Sequence, residues 1–178
     1  MEEARDSRGL TEAEAIARYR GRSYPKPALT ADIVVLSRTE DGLKVLLVER
    51  GGHPFLGRLA LPGGFANENE PIEETAAREL AEETGVEGLT LELVGLFSRP
   101  GRDPRGWVVS AAFAALVDAS ALTVQAGDDA ADARWYAIEA AEGGLTLRNG
   151  SAVLPVKELA FDHAEILSRA LEQLDLLP

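Results

Sequence analysis

The sequence predicts a mixed α/β fold in which strands and helices pack in layers. Two observations support this prediction. β-branched and leucine-rich runs recur along the chain, and two amphipathic helical segments each follow a group of strands. At 178 residues the chain has the length of one ordinary domain, which is enough to bury a substantial core. We therefore expect one domain over residues 30–178, preceded by an arm of residues 1–29.

The arm is predicted to contain a short helix. Thr11 and Glu14 form a T-x-x-E capping box, and the helix should end near Arg20. The segment SYPKPA follows, and its two prolines make it rigid. Because such an arm is suited to packing on another subunit, we expect a homodimer.

The strands of the domain are predicted from apolar runs bounded by turns. ADIVVLSR and LKVLLVER are separated by TEDG, a short turn with glycine, so they should form a hairpin. Asn149-Gly150 is a strong signal for a second tight turn. A final helix should begin at Asp162, with Asp162 as its cap and Glu165 at the third position. Further strands are predicted at residues 59–61, 91–99, 107–117 and 131–139.

Composition and charge limit the possible classes of function. The chain has 30 acidic and 18 basic residues, and its net charge of −12 disfavours binding to nucleic acid or to an anionic membrane. It has no cysteine, which excludes disulfides, thiolate metal ligands and a cysteine nucleophile. There is no apolar run of about 18 residues and no apolar secretion signal, so we expect a cytoplasmic protein.

The stretch GGFANENEPIEETAARELAEETGV, residues 63–86, places seven glutamates in 24 residues. Pro71 suits the first turn of a helix and Gly85 suits the position after its end. The stretch therefore predicts a helix from about Pro71 to Thr84. On this helix an apolar arc should consist of Ala76, Ala77, Leu80 and Thr84.

Three carboxylates, those of Glu79, Glu82 and Glu83, project from the adjacent arc of this helix. Like charges at this spacing each destabilise a helix by about 0.2–0.5 kcal/mol, and a bound cation reverses that effect. Carboxylate oxygens are ligands that magnesium and manganese prefer. A main-chain carbonyl at Gly64 can complete the site, and Arg78 can orient one carboxylate. A glutamate-rich helix can also be a plain solvated surface.

The spacing of these residues resembles the signature of the Nudix hydrolase family. Gly64, Glu70 and the segment 78–86 match G-x5-E-x7-R-E-U-x-E-E-x-G-U at every fixed position. The resemblance implies an α/β/α sandwich around a mixed β-sheet. It also implies metal-dependent hydrolysis of a nucleoside diphosphate linked to another moiety, with Mg²⁺ or Mn²⁺ as the cofactor.

The same resemblance assigns roles to individual residues. Glu79, Glu82 and Glu83 match the metal-binding glutamates, with Gly64 as the loop glycine beside the metal. Arg78 matches the orienting arginine of the catalytic set. The general base stays open, because Nudix families place it either in the helix, as Glu82 or Glu83, or on a later loop. Here the loop candidates are Asp128 and Asp129, which can also be a solvated turn.

Candidate substrate-binding residues lie mainly in the loop SRPGRDPRGW. It carries Arg99, Arg102, Asp103 and Arg105, and Arg50 at the end of LLVER is a further candidate. Arginine forks suit phosphate, although a charged turn between two strands needs no ligand. The RDPRG loop and the segment FDHAEIL look like the ADP-ribose pyrophosphatase branch of the family. This resemblance makes cleavage of ADP-ribose to AMP and ribose 5-phosphate the leading hypothesis.

Aromatic residues and one histidine complete the set of candidates. Phe55, Phe97 and Trp107 are candidates for stacking on adenine, although an aromatic residue on a strand is more often part of the core. His163 is expected to form a hydrogen bond at a helix start rather than to bind metal, since no second histidine lies at ligand spacing.

Two other functions are compatible with the same domain. One is a house-cleaning nucleoside triphosphate pyrophosphohydrolase, which would release pyrophosphate. The other is a non-catalytic module that senses ADP-ribose. The intact signature and the single helix after the last strands favour an enzyme over such a sensor.

Overall fold

The computed structural model describes residues 3–40, 42–118 and 130–177. The predicted final helix and the predicted strands are present with small shifts of their ends. A single 3-10 turn, Val156–Glu158, precedes the last helix. In chain order the elements are α1 (Glu12–Arg20), β1 (Ala28–Thr39), β2 (Gly42–Arg50), β3 (Leu59–Ala60), β4 (Gly63–Phe65), α2 (Ile72–Thr84), β5 (Glu92–Phe97), β6 (Val108–Val117), β7 (Ala130–Ala141), β8 (Gly144–Asn149), β9 (Ala152–Pro155) and α3 (His163–Gln173).

The strands form one mixed sheet in the order β5-β6-β1-β2-β7-β8-β9. β1 and β6 are parallel, and the other pairs are antiparallel. Short β3 pairs with β2, and short β4 pairs with β1. β1 therefore contacts β2, β4 and β6, which places it at the centre of the sheet.

The two long helices cover opposite faces of this sheet. Alternate residues of a strand point to opposite faces, and β1 shows this clearly. Ile33 and Val35 belong to the core cluster that includes residues of α2, whereas Val34 and Leu36 belong to the cluster that includes residues of α3. The predicted α/β/α sandwich is confirmed.

The ends of α1 and α2 follow the local signals in the sequence. The predicted capping box forms, since the Thr11 side chain accepts a hydrogen bond from the Glu14 amide and the Glu14 carboxylate accepts one from the Thr11 amide. Gly85 ends α2 in the left-handed conformation at φ 69°. The predicted apolar arc of α2 is wrong at Ala77, which is exposed, while Thr75 is buried.

The prediction that Asp162 caps α3 through its side chain is wrong. Asp162 lies immediately before α3, but its side chain makes no capping hydrogen bond. Its carboxylate binds Arg102 instead. Within the described parts of the chain, no helix is long and apolar enough to cross a membrane.

Candidate active site

The glycine loop and α2 meet at one point beside β1. Strand β4 pairs Gly63 with Asp32 and Gly64 with Ala31, and α2 begins after a short turn. A Cβ atom built on Gly64 would lie 2.5 Å from the carboxyl carbon of Glu79 and 2.7 Å from its Oε1. Because atoms cannot approach so closely, a side chain at this position would displace the Glu79 carboxylate. The close approach expected at Gly64 is therefore made to Glu79.

Glu83 and Glu79 are partly buried carboxylates on the side of α2 that faces this loop. Glu83 accepts a hydrogen bond of 3.0 Å from the Gly63 amide. Burial raises the pKa of Glu83 to about 7, and the charge of Glu79 adds to this effect. Burial also raises the pKa of Glu79, against the opposing effect of Arg78. Ionising both carboxyl groups is therefore unfavourable unless a positive charge is added to those of Arg78 and Arg50.

Arg78 connects α2 to the turn that precedes it. Its guanidinium donates two hydrogen bonds to Glu70, from Nε to Oε1 at 2.8 Å and from Nη2 to Oε2 at 2.9 Å. It also donates to the Phe65 carbonyl at 3.0 Å and to Glu79 at 2.6 Å. A further contact of 3.1 Å reaches Glu82, whose side chain is 59% exposed. These contacts are those expected of an orienting arginine, and its catalytic role stays a prediction.

The donor set fits a hard divalent cation by its chemistry. In the parts of the chain that are described, no three His, Asp or Glu side chains are already gathered as metal ligands. Arg78 instead holds Glu79 and Glu82, and Glu83 holds the Gly63 amide. Carboxylate oxygens beside a glycine loop are nevertheless suitable ligands for magnesium or manganese. A cation would also relieve the unfavourable ionisation of Glu79 and Glu83.

A cleft of about 490 Å³ opens beside the glycine loop. Of the predicted site residues, those that line the cleft are Gly64, Glu83, Arg50, Arg102, Asp103 and Arg105. Arg99 lies elsewhere, with a side chain that is 69% exposed and 3.6 Å from Glu165. Asp128 and Asp129 lie outside the described residues. Of the three arginines in the loop before β6, Arg102 and Arg105 therefore line the cleft and Arg99 does not.

Arg105 lies in the cleft against aromatic rings. Its guanidinium forms an ion pair with Asp103, with a shortest distance of 2.6 Å, and lies over the rings of Phe65 and Phe161 at 4.7 and 5.3 Å. Burial raises the pKa of Asp103, but the bonds from Arg105 outweigh it, so the net shift is downward. Arg50 lies over Phe161 at 4.9 Å.

Arg102 lines the same cleft, but its donors bind protein groups. It is 6% exposed and forms two hydrogen bonds to Asp162, at 2.8 and 2.6 Å. A third contact, at 3.3 Å, reaches Asp32. The fork that was expected to bind phosphate is thus occupied by carboxylates in this structure. Its assignment to substrate binding stays a prediction.

Asp32 is the centre of this buried network. It accepts hydrogen bonds from Ser110 at 2.5 Å and Arg102 at 3.3 Å, and His163 Nε2 lies 3.4 Å away. Burial alone would raise the pKa of Asp32, but His163, Ser110 and Arg102 together lower it to about 2. His163 Nδ1 accepts a hydrogen bond from the Leu61 amide, so Nε2 is the nitrogen that carries a proton toward Asp32.

Several residues of the cleft were not predicted from the sequence. One signal for Asp32 was available, because it is an acid within the apolar run ADIVVL. Nothing local indicates that Phe65 and Phe161 line the cleft. The aromatic residues proposed for adenine stacking, Phe55, Phe97 and Trp107, do not line it. The hydrogen bond predicted for His163 at the start of α3 is present, since Nδ1 accepts one from the Leu61 amide.

Comparison with known proteins identifies this arrangement. A model of the NUDIX domain matches residues 26–156. The chain belongs to the Nudix family. It is a Nudix pyrophosphohydrolase by its similarity to the ADP-ribose pyrophosphatase of Methanocaldococcus jannaschii, with 39% identity over 82% of this chain and 74% of that protein.

Two further similarities concern ADP-ribose. The chain is 32% identical to the ADPR responsive transcriptional repressor NtrR of Acinetobacter baylyi, over 93% of this chain and 61% of the repressor. It also resembles the solved NUDIX domain of Shewanella oneidensis NrtR complexed with ADP ribose. That structure has a TM-score of 0.73 and 34% identity, with coverage of 93% of this chain and 99% of that one. Compared with the whole Acinetobacter baylyi repressor, this chain spans about three fifths of the length.

Proposed function

We propose that this Nudix hydrolase cleaves ADP-ribose to AMP and ribose 5-phosphate with Mg²⁺ or Mn²⁺. The observation that carries the proposal is the contact between the glycine loop and the carboxylates of α2 at the edge of a cleft with arginines. Gly64 lies against Glu79, Glu83 binds the Gly63 amide, and Glu83 and Arg105 line one cleft. Negative and positive groups are thus available for a metal ion and for a diphosphate.

The similarities to proteins of known ligand support ADP-ribose as the substrate. A relative named as an ADP-ribose pyrophosphatase and a solved domain with ADP ribose bound both match most of this chain. These are different proteins that share one ligand. The chemistry of the cleft agrees with such a ligand, since it combines arginines with exposed aromatic surface.

The proposed roles follow from the contacts. Glu79, Glu82 and Glu83 would hold the divalent ion with the Gly64 carbonyl, and Arg78 would orient Glu79. When bound, such an ion neutralises charge on the diphosphate and lowers the pKa of an attacking water. Arg50 and Arg105 would bind the phosphates from the cleft. Among the described candidates for the general base, Glu83 is the one that lines the cleft.

The proposal is tested by incubating the purified protein with ADP-ribose and Mg²⁺ or Mn²⁺, followed by chromatography of the products. We expect AMP and ribose 5-phosphate in equal amounts. Glu83→Gln should lower kcat by about 100-fold or more, in the range found for loss of a group at the reacting centre. Glu73→Gln, an exposed change in the first turn of the same helix, is the matched control. Absence of AMP at every metal concentration would refute the proposal.

A second candidate function is the sensing of ADP-ribose without turnover. The similarity to the ADPR responsive repressor favours this candidate over other binding functions. Calorimetry would then show ADP-ribose binding while the product assay shows no AMP. Release of pyrophosphate from a panel of nucleoside triphosphates would instead indicate a house-cleaning enzyme.

A further inference from the structure

Two phenylalanine rings and one arginine lie together in the cleft. The guanidinium carbon of Arg105 lies 4.7 Å from the ring centre of Phe65 and 5.3 Å from that of Phe161. Phe65 ends β4 and is 42% exposed, and Phe161 lies just before α3. Both rings line the cleft. Two elements that are far apart in sequence therefore present aromatic rings to the same planar group.

The Phe161 ring is held in place by its surroundings. Its backbone has φ 52°, a left-handed conformation that a phenylalanine rarely adopts. Phe55, also left-handed at φ 64°, packs edge-to-face on it at 4.8 Å, and Arg50 lies over the ring at 4.9 Å. Strained conformations of this kind persist only where the surrounding structure fixes them, and they are concentrated at ligand sites.

Arg105 occupies the place that a planar ring would take. A guanidinium is flat and stacks on aromatic faces, as a heteroaromatic base also does. Arg105 is held by Asp103, its neighbour two residues away, whose carboxylate binds both Nε and Nη2, so the guanidinium leaves the rings only when this fork opens.

We propose that Phe65 and Phe161 form the slot for the nucleobase of the substrate, and that Arg105 fills this slot when no base is bound. This inference rests on the proposed function, because it assigns a position to one part of ADP-ribose. Phe65 directly follows Gly64, which lies against Glu79. A base in the slot is therefore next to the loop where the diphosphate would be held.

The slot is tested with two products that differ in the base. AMP and ribose 5-phosphate each carry one ribose and one phosphate, and neither contains a pyrophosphate bond to hydrolyse. Calorimetry with Mg²⁺ would give the Kd of each for the wild type, Phe161→Leu and Phe65→Leu. We expect either leucine variant to weaken AMP binding by about tenfold, the range typical of a lost stacking ring. The Kd of ribose 5-phosphate should stay within about twofold of the wild-type value, because this ligand has no base that could stack on the rings.

Controls separate stacking from damage to the fold. Phe161→Tyr keeps a ring and should bind AMP like the wild type. Trp107→Leu removes an exposed aromatic residue outside the cleft and should leave the Kd of both ligands unchanged. Equal weakening of both ligands, or unchanged AMP binding in both leucine variants, would overturn the slot.

The product assay keeps the two proposals distinct. If the wild type does not cleave ADP-ribose but Phe161→Leu weakens AMP selectively, the slot stands and the proposed function fails. If ADP-ribose is cleaved and the leucine variants bind AMP normally, the function stands and the slot fails.

Discussion

Arg102 and Asp162, which are 60 positions apart in the chain, form a two-pronged ion pair in the interior. The bonds are 2.8 and 2.6 Å long, and both side chains are 3% exposed. The pair connects the loop before β6 to the residue before α3. Because Asp103 and Arg105 lie in the same loop, the pair also fixes the wall of the cleft.

Asp162→Asn should destabilise the protein strongly. Removing one partner of a buried pair leaves the charge of Arg102 less compensated, which typically costs about 3–5 kcal/mol. Since Asp32 still faces Arg102, we expect a loss of about 3 kcal/mol in the free energy of unfolding, measured by urea denaturation.

The matched control for this pair is Glu139→Gln. Glu139 binds Arg148 through two bonds of 2.7 and 2.9 Å, but this pair is exposed. Solvent screens such pairs, so the control should have little effect on stability. Similar losses of unfolding free energy in Asp162→Asn and Glu139→Gln would show that burial does not determine how much an ion pair stabilises this protein.

Asp32 should make the protein sensitive to acid. Its pKa in the folded protein is about 2, below the ordinary value of 3.8. The ionised form is therefore favoured by folding, and its contribution of about 2 kcal/mol is present above pH 3.8 and is lost as the pH falls through 2. Asp32→Asn lacks this contribution.

The measurement is the difference in unfolding free energy between wild type and Asp32→Asn from pH 6 to pH 2. We expect the difference to shrink at the acidic end, because other carboxyl groups titrate equally in both proteins. A difference that stays constant over this range would contradict the assignment.

Gly64→Ala should impair catalysis by displacing Glu79. The added Cβ would lie 2.5 Å from the carboxyl carbon of Glu79, so that side chain must move. Misplacement of a catalytic group by about 1 Å can cost about 100-fold in rate, and we expect a loss of that order in kcat.

Gly21→Ala is the control for a glycine change. Gly21 lies after α1 at φ −74°, and its added Cβ would approach no closer than 3.5 Å to the Ala17 carbonyl oxygen. Its kcat should match that of the wild type. Full activity in Gly64→Ala would show that the position of Glu79 is not critical.

Glu83 should destabilise the metal-free protein as the pH rises. Its folded pKa of about 7 lies above its ordinary 4.5, so the native state binds a proton that the unfolded state has released. Stability is highest below pH 4.5 and falls by up to about 3 kcal/mol as the pH rises through 7. The Glu83→Gln variant has no ionisable group at this position, so it should not show this loss of stability.

Thermal unfolding in EDTA at pH 5 and pH 8 would measure this effect. We expect Glu83→Gln to be more stable than the wild type at pH 8 and similar at pH 5. Added Mg²⁺ should raise the Tm of the wild type more than that of the variant, because binding to the native state stabilises it. An unchanged pH dependence in the variant would refute the role of burial.

Local sequence signals predicted the parts of the structure that depend on neighbouring residues. The capping box at Thr11 and the glycine after α2 are of this kind, and both are present. The hairpin predicted at Asn149-Gly150 also forms, but its turn residues are Gly150 and Ser151, because Asn149 is still paired with Ala152. The spacing of glutamates on α2 also fixed which face they share, since helical geometry relates spacing to direction.

Features that depend on distant contacts were not predictable from local signals. An aspartate before a helix favours capping, yet Asp162 binds Arg102 from another part of the chain. Arg99, Arg102 and Arg105 share one loop, but Arg99 is exposed away from the cleft, Arg102 is buried in its wall, and Arg105 lies over its aromatic rings. The location of each arginine depends on the path of the folded loop. The location of Phe161 in the cleft likewise depends on the tertiary structure.

Docking of the loop before β6 onto Asp32 and Asp162 has a consequence for how this domain can diversify. Glu83 of α2 is bound by the Gly63 amide of β4, whereas Arg102 binds the loop to Asp32 and Asp162. Loops of other sequence could replace it and present new groups to a ligand while the hydrolytic helix stays where it is. Such an exchange should succeed when the incoming loop carries an arginine that reaches the same two acids.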